Sequence, residues 1–124
     1  VRTYRTVSCM ALPLALLAGC SDDGPAPMPV PGGNAGAGRA LLVRYHCAAC
    51  HSIPGVEGTQ GRIGPALDTF GRASYIAGQL PNTPDVLQRW IVDPPAAKPG
   101  TAMPAMGVSP ADARDMAAYL YTLR

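Results

Sequence analysis

At 124 residues, with an opening stretch unlike folded domain, the chain has room for one small domain and a single core. It holds 14 glycines and 14 prolines but only one Phe and one Trp, a balance that favours loops and leaves little bulky apolar mass to fill a centre. Arg2 and Arg5 account for the formal charge of +2; from Cys20 onward eight basic and eight acidic residues cancel, which excludes the clustered basic face of a nucleic-acid-binding protein.

In chain order, residues 1–6 are short and basic, and Val7 to Leu17 is an apolar run of 11 residues, too short for a bilayer that needs about 20. Basic, then apolar, then small residues is the layout of a secretory signal peptide. The run closes on Leu17-Ala18-Gly19-Cys20, which resembles a bacterial lipobox. That resemblance implies cleavage before Cys20 and acylation of it, several chains together anchoring stably at about 0.8 kcal/mol per buried methylene. Residues 1–19 are therefore expected to be a lipoprotein signal peptide, with the rest held on the periplasmic side of a bacterial membrane. Residues 20–38 are Pro, Gly, Ala, Ser and Asp with hardly any bulky side chain, the composition of a flexible tether.

A domain is expected over 39–124. Residues 39–49 favour a helix, with Leu41, Leu42 and Tyr45 at helical spacing. Ser52 to Ala66 reads as Gly-rich loop and 73–78 as a short helical turn. Thr83-Pro84-Asp85 opens a helix with a capping hydroxyl, a proline at the first helical position and an early acid. Pro94 and Pro95 stop it near Val92. A loop follows over 96–108, and Ser109-Pro110-Ala111-Asp112 opens a last helix that ends near Leu123. No alternating strand pattern is present, so the domain reads as mainly helical.

Cys47-Ala48-Ala49-Cys50-His51 is the attachment signature of c-type haem. At the end of a helix, positions three and four apart share a face, so two thiols and an imidazole meet one ligand. The rivals are weaker. A thioredoxin-like Cys-x-x-Cys needs a βαβ context, and a structural zinc site needs four ligands. Beyond the pentapeptide only His46, Cys9 and Cys20 remain, with both cysteines in the export segment. The sixth iron ligand comes from elsewhere. His46 adjoins Cys47 and reads as a solvated residue, Met10 and Met28 lie in leader and tether, and Met116 reads as core, leaving Met103 and Met106.

From Arg39 to Arg124 the chain resembles the class I cytochrome c family, in particular its small membrane-associated bacterial members. The matching pieces are Cys47 to His51, Gly64-Pro65, Phe70-Gly71-Arg72, Leu87 to Pro94, Pro99-Gly100-Thr101-Ala102-Met103, and Asp115 to Leu120. The resemblance implies an all-α cytochrome c fold of three to four short helices and Gly/Pro-rich loops around one haem c, covalently attached through Cys47 and Cys50. It makes His51 and Met103 the axial ligands and puts Met106 at a packing position. It has the Pro65 carbonyl accept a hydrogen bond from His51, pairs Arg72 with a haem propionate, and lines the pocket with Trp90. Tyr119 and Leu120 fall where the last helix crosses the first. Two departures stand out. Lys98 is the one lysine where soluble members ring the haem edge with several, and Gly38 lies one residue further from Cys47 than the usual helix-crossing glycine.

An iron with both axial positions filled implies an electron carrier rather than an enzyme, passing single electrons between membrane or periplasmic redox partners such as a terminal oxidase, a reductase or a dehydrogenase. Two other readings stay open: a five-coordinate haem that senses gas or reduces peroxide, and a fixed electron-transfer subunit of an oxidase or dehydrogenase complex.

Overall fold

The computed structural model describes residues 26–124; the expected signal peptide, the lipobox and Cys20 lie outside them. The element order is α1 (Ala35–Arg44), a 3₁₀ turn (Cys47–Ala49), a second 3₁₀ turn (Phe70–Arg72), β1 (Tyr75–Ile76), β2 (Leu80–Pro81), α2 (Pro84–Val92), α3 (Pro94–Ala97) and α4 (Pro110–Leu120).

Helix α1 starts at Ala35, four residues before the expected Arg39, and stops at Arg44. Asn34 makes the early start possible: its side-chain oxygen accepts from the Ala37 amide at 3.0 Å, and its own amide donates to Asp115 Oδ1 at 2.9 Å. Each interior glycine costs a helix about 1 kcal/mol relative to alanine, so Gly36 and Gly38 need a compensating contact. Gly38 has one, because α4 crosses so closely there that a Cβ would run into the Asp115 carbonyl. The crossing is made by Gly38 itself, despite its shifted spacing from Cys47. At the other end His46 takes a left-handed backbone (φ +55°) and breaks α1 from the turn that follows.

Proline organises the second half. Pro84 lies in the first turn of α2 with Asp85 beside it, as expected, but the Thr83 hydroxyl makes no capping bond. Leu87, Trp90 and Ile91, three and four residues apart, form the buried face of α2. The prolines that end α2 also open α3, which takes the first two residues of the loop expected over 96–108; Asp93 Oδ1 caps it by accepting from the Ala96 amide at 3.1 Å. Ser109 caps α4 in the same way, accepting from the Asp112 amide at 3.1 Å. Helix α4 buries Ala113, Met116, Ala117 and Leu120 against α1 and α2.

Residues 73–78 are not the expected helical turn. They enter an antiparallel pair, Tyr75 opposite Pro81 and Ile76 opposite Leu80, reversed through Ala77 (φ +49°) and Gly78 (φ +74°). Two residues per strand is too short for any alternation to register in the sequence. Beside this hairpin sits the buried polar residue Asn82. Its amide donates to the Phe70 and Ala73 carbonyls at 3.2 and 2.9 Å, and its oxygen accepts from the Tyr121 hydroxyl at 2.8 Å. The first two bonds tie Asn82 back to the second 3₁₀ turn, and the third ties it to the end of α4. Among the described residues no helix is long and apolar enough to cross a membrane.

Candidate haem site

Leu42 from α1, Leu87 and Trp90 from α2, and Met116 and Leu120 from α4 are all buried, yet all five also line one cleft of about 690 Å³. A core whose central side chains face a cleft of this size is built around a guest, and the volume falls within the roughly 300–1,000 Å³ of small-ligand and cofactor sites.

Cys47, Cys50 and His51 form one wall. They do not extend α1 as expected. They sit on a separate turn in which the Cys50 and His51 amides both donate to the Cys47 carbonyl, at 3.2 and 3.1 Å. That local helical winding keeps the three side chains on one side, so the spacing argument survives the break at His46. The Gly-rich loop then fastens to this wall: the amides of Gly61, Gly64 and Leu67 donate to the carbonyls of Ala48, Cys50 and Ser52 at 2.8, 2.8 and 2.9 Å. Gln60 braces the loop from within by accepting from the Ile53 amide at 2.7 Å and donating to the Val56 carbonyl.

The imidazole of His51 lies against Gly64, where a Cβ would approach Nδ1 to 2.6 Å. Nδ1 is 2.8 Å from the Pro65 carbonyl. A carbonyl only accepts, so this contact places the proton on Nδ1 and leaves Nε2 with a free lone pair. Burial pushes the Cys47 thiol up to about 11. It therefore stays protonated at neutral pH, unlike the low-pKa thiolate of a thioredoxin-type site. Among the described residues no fourth His, Cys, Asp or Glu joins Cys47, Cys50 and His51 in the lining of the cleft.

Met103 lines the same cleft, half-buried, with Thr101, Ala102 and Pro104 around it. Its amide donates to Thr101 Oγ1 at 3.3 Å. Met106 lies 45 % exposed and Met116 1 % exposed, and His46 is on the surface. Pro65 and Trp90 also line the cleft, whereas Arg72, exposed on the second 3₁₀ turn, does not, although its neighbours Phe70 and Ala73 do. The residues that sequence reasoning did not single out are Gln60 and Asn82. Gln60 is satisfied by main-chain groups four and seven residues back, and Asn82 by two carbonyls and the Tyr121 hydroxyl 9 to 39 residues away, pairings that no sequence motif announces.

Two thiols and an imidazole with a free Nε2, a thioether from a separate loop and apolar side chains, all lining one cleft, fit a covalently held haem, and a c-type haem protein is the class this fold and cleft define. Residues 35–124 match the cytochrome c family, and the chain belongs to it. Over 88 residues, 70 % of this chain, it is 38 % identical to cytochrome c oxidase subunit 2 of Alkalihalophilus pseudofirmus; over 86 residues it is 29 % identical to the same subunit of Bacillus subtilis. The matched stretch spans about a quarter of the length of these relatives (25 and 24 %). Among solved structures, a chain of SoxXA from P. pantotrophus superposes with a TM-score of 0.54 at 26 % identity, covering 73 % of this chain and 82 % of that one. Cytochrome cH from Methylobacterium extorquens superposes with a TM-score of 0.51 at 27 % identity, covering 73 % of this chain and 99 % of that one. A cytochrome c domain carries one covalent haem c and transfers single electrons; proteins of this family are electron carriers rather than enzymes.

Proposed function

We propose that this chain carries single electrons to a terminal oxidase on the outer face of a bacterial membrane, with haem c joined to Cys47 and Cys50, His51 and Met103 as axial ligands, and Cys20 as the lipid anchor. The observation that carries the reading is the contact from His51 Nδ1 to the Pro65 carbonyl, which leaves Nε2 as the one imidazole atom able to bind a metal. A haem held between an imidazole and a thioether supplies reversible one-electron chemistry and keeps no vacant position for substrate.

The residues do the rest. Gly64 leaves room for the imidazole, and the main-chain bonds of Gly61, Gly64 and Leu67 fix its wall. Leu42, Leu87, Trp90 and Met116 keep water from the inner side, which limits reorganisation when charge changes. Arg72 is the chain's candidate for a haem propionate, from its exposed turn just outside the lining. An oxidase is the favoured partner because the sequence relatives are oxidase subunits. The same relatives support a second reading, a fixed subunit of an oxidase complex, which co-purification after mild detergent extraction separates from a mobile carrier.

The test is a pair of variants. Met103→Ala is expected to give a high-spin haem that binds carbon monoxide and has a lower reduction potential; Met106→Ala is expected to keep the parent spectrum. The opposite pattern rejects Met103 as ligand, and carbon monoxide binding by the parent protein selects the five-coordinate reading. Cys20→Ser is expected to move the protein to the soluble fraction, and continued membrane association rejects the lipid anchor.

A further inference from the structure

We infer that Lys98 is the latch of the Met103 loop: its side chain, bonded to the hairpin, sets how readily the methionine leaves the proposed axial position. The inference rests on the axial role proposed for Met103. It adds a positioning residue, one that acts through the loop and touches nothing that reacts.

Three hydrogen bonds run in series from the hairpin to Met103. The Lys98 ammonium donates to the Ala77 carbonyl at 2.8 Å. The Lys98 carbonyl accepts from the Thr101 amide at 3.2 Å, and the Thr101 hydroxyl accepts from the Met103 amide at 3.3 Å. Ala77 and Gly78 line the cleft, and so do Thr101 to Pro104, so the series joins two separate parts of its lining. Residues 104–108 make no hydrogen bond among the described residues, which leaves this series as the polar hold on the loop.

Both ends of the latch are built. The Gln79 amide donates to the Ile76 carbonyl at 3.1 Å and closes the hairpin turn, and Ile76 itself is buried. Within that turn Ala77 takes a left-handed backbone (φ +49°), which alanine adopts only at a cost. The carbonyl of this strained residue is the one that Lys98 takes. At the other end the Lys98 amide donates to the carbonyl of buried Pro94 at 2.9 Å, so α3 fixes the main chain from which the side chain reaches. A charged donor makes the link stronger than a neutral one, while exposure to water keeps its effect within several-fold. Breaking it raises the fraction of molecules in which the loop has swung away and the sixth position is open. Lys98 thereby keeps an electron carrier from becoming a ligand-binding haem protein.

The test titrates the oxidised, haem-loaded protein with imidazole, which binds the iron only as Met103 departs, and reads the absorbance. Lys98→Met is expected to raise imidazole affinity about fivefold over the parent, whereas Lys98→Arg, which keeps a charged donor, stays within about twofold. Arg62→Gln removes a cation from the other loop, next to the lining residue Ile63, and is expected to leave the affinity unchanged. Lys98→Met combined with Thr101→Val is expected to exceed neither single variant, because one series is broken once. The latch is overturned by parent-like imidazole affinity in Lys98→Met, even where its denaturant midpoint falls, since a merely structural lysine would give that pattern. It is equally overturned if Arg62→Gln matches Lys98→Met, which makes charge the cause, or if the two single effects multiply. Met103→Ala reads the ligand assignment separately: it is expected to bind imidazole far more tightly than the parent, whatever occupies position 98. Parent-like binding by Met103→Ala breaks the axial assignment and the latch with it, whereas failure confined to the Lys98 variants leaves Met103 as ligand and removes the latch alone.

Discussion

On the His51 side of the cleft, the amides of Gly61, Gly64 and Leu67 are bonded to the turn that carries the two cysteines, and the imidazole is bonded to Pro65. On the Met103 side, the amide of Thr101 donates to the Lys98 carbonyl at 3.2 Å, that of Met103 to the Thr101 hydroxyl at 3.3 Å, and residues 104–108 make no hydrogen bond among the described residues. The first wall is held by many hydrogen bonds of the chain and the second by few. Local stability follows such bonding, so the Met103 loop is expected to open before the His51 wall.

The sharpest way to break the fixed wall is Gly64→Ala, which drives a methyl into the imidazole. It is expected to cost more than about 3 kcal/mol or to prevent a stable holoprotein, read from haem-stained yield and thermal melts. If the variant loads haem and melts like the parent, the wall is not fixed as described. A smaller effect is expected where that wall continues through Phe70 and Ala73 to Asn82. Tyr121→Phe leaves the Asn82 oxygen without its donor and is expected to cost about 1–2 kcal/mol in denaturant unfolding. Burial pushes the Tyr121 hydroxyl up to about 12 from an ordinary 10.0. The folded state therefore keeps a proton that the unfolded state releases, and this contribution is full below pH 10 and lost as pH rises through about 12. The phenylalanine variant is expected to lack that part of the alkaline decline. The smallest effect belongs to the loose wall. Thr101→Val removes the acceptor for the Met103 amide and is expected to cost less than about 1 kcal/mol overall. It is nevertheless expected to lower the denaturant concentration at which the absorbance of the proposed Met103–iron bond disappears, ahead of the loss of far-ultraviolet ellipticity.

This difference also explains what the sequence could disclose. The loose wall is legible because proline writes it: Pro94 and Pro95 stop α2, Pro110 opens α4, and Met103 lies in the loop between them. The pentapeptide is legible because covalent attachment dictates its spacing. The start of α1 is hidden, since Ala35 to Gly38 has the composition of a tether and becomes helix only because α4 accepts a side-chain-free crossing. The hairpin is hidden by its length, and Thr83 misleads because its hydroxyl, though at the capping position, is not used. Asn82 is hidden for a different reason: its partners lie 9, 12 and 39 residues away, and no window of local sequence contains them.

The crossing of α1 and α4 at Gly38 has a kinetic consequence. Asn34 and Asp115, which meet there, are separated by 81 positions, so the loop their meeting closes contains the cysteines, the hairpin and the methionine. Contacts of such range form late, and a helix with two interior glycines has little persistence alone. The folding chain therefore passes through a stage in which Cys47 and Cys50 are accessible, and the docking of α4 is the step that closes this window.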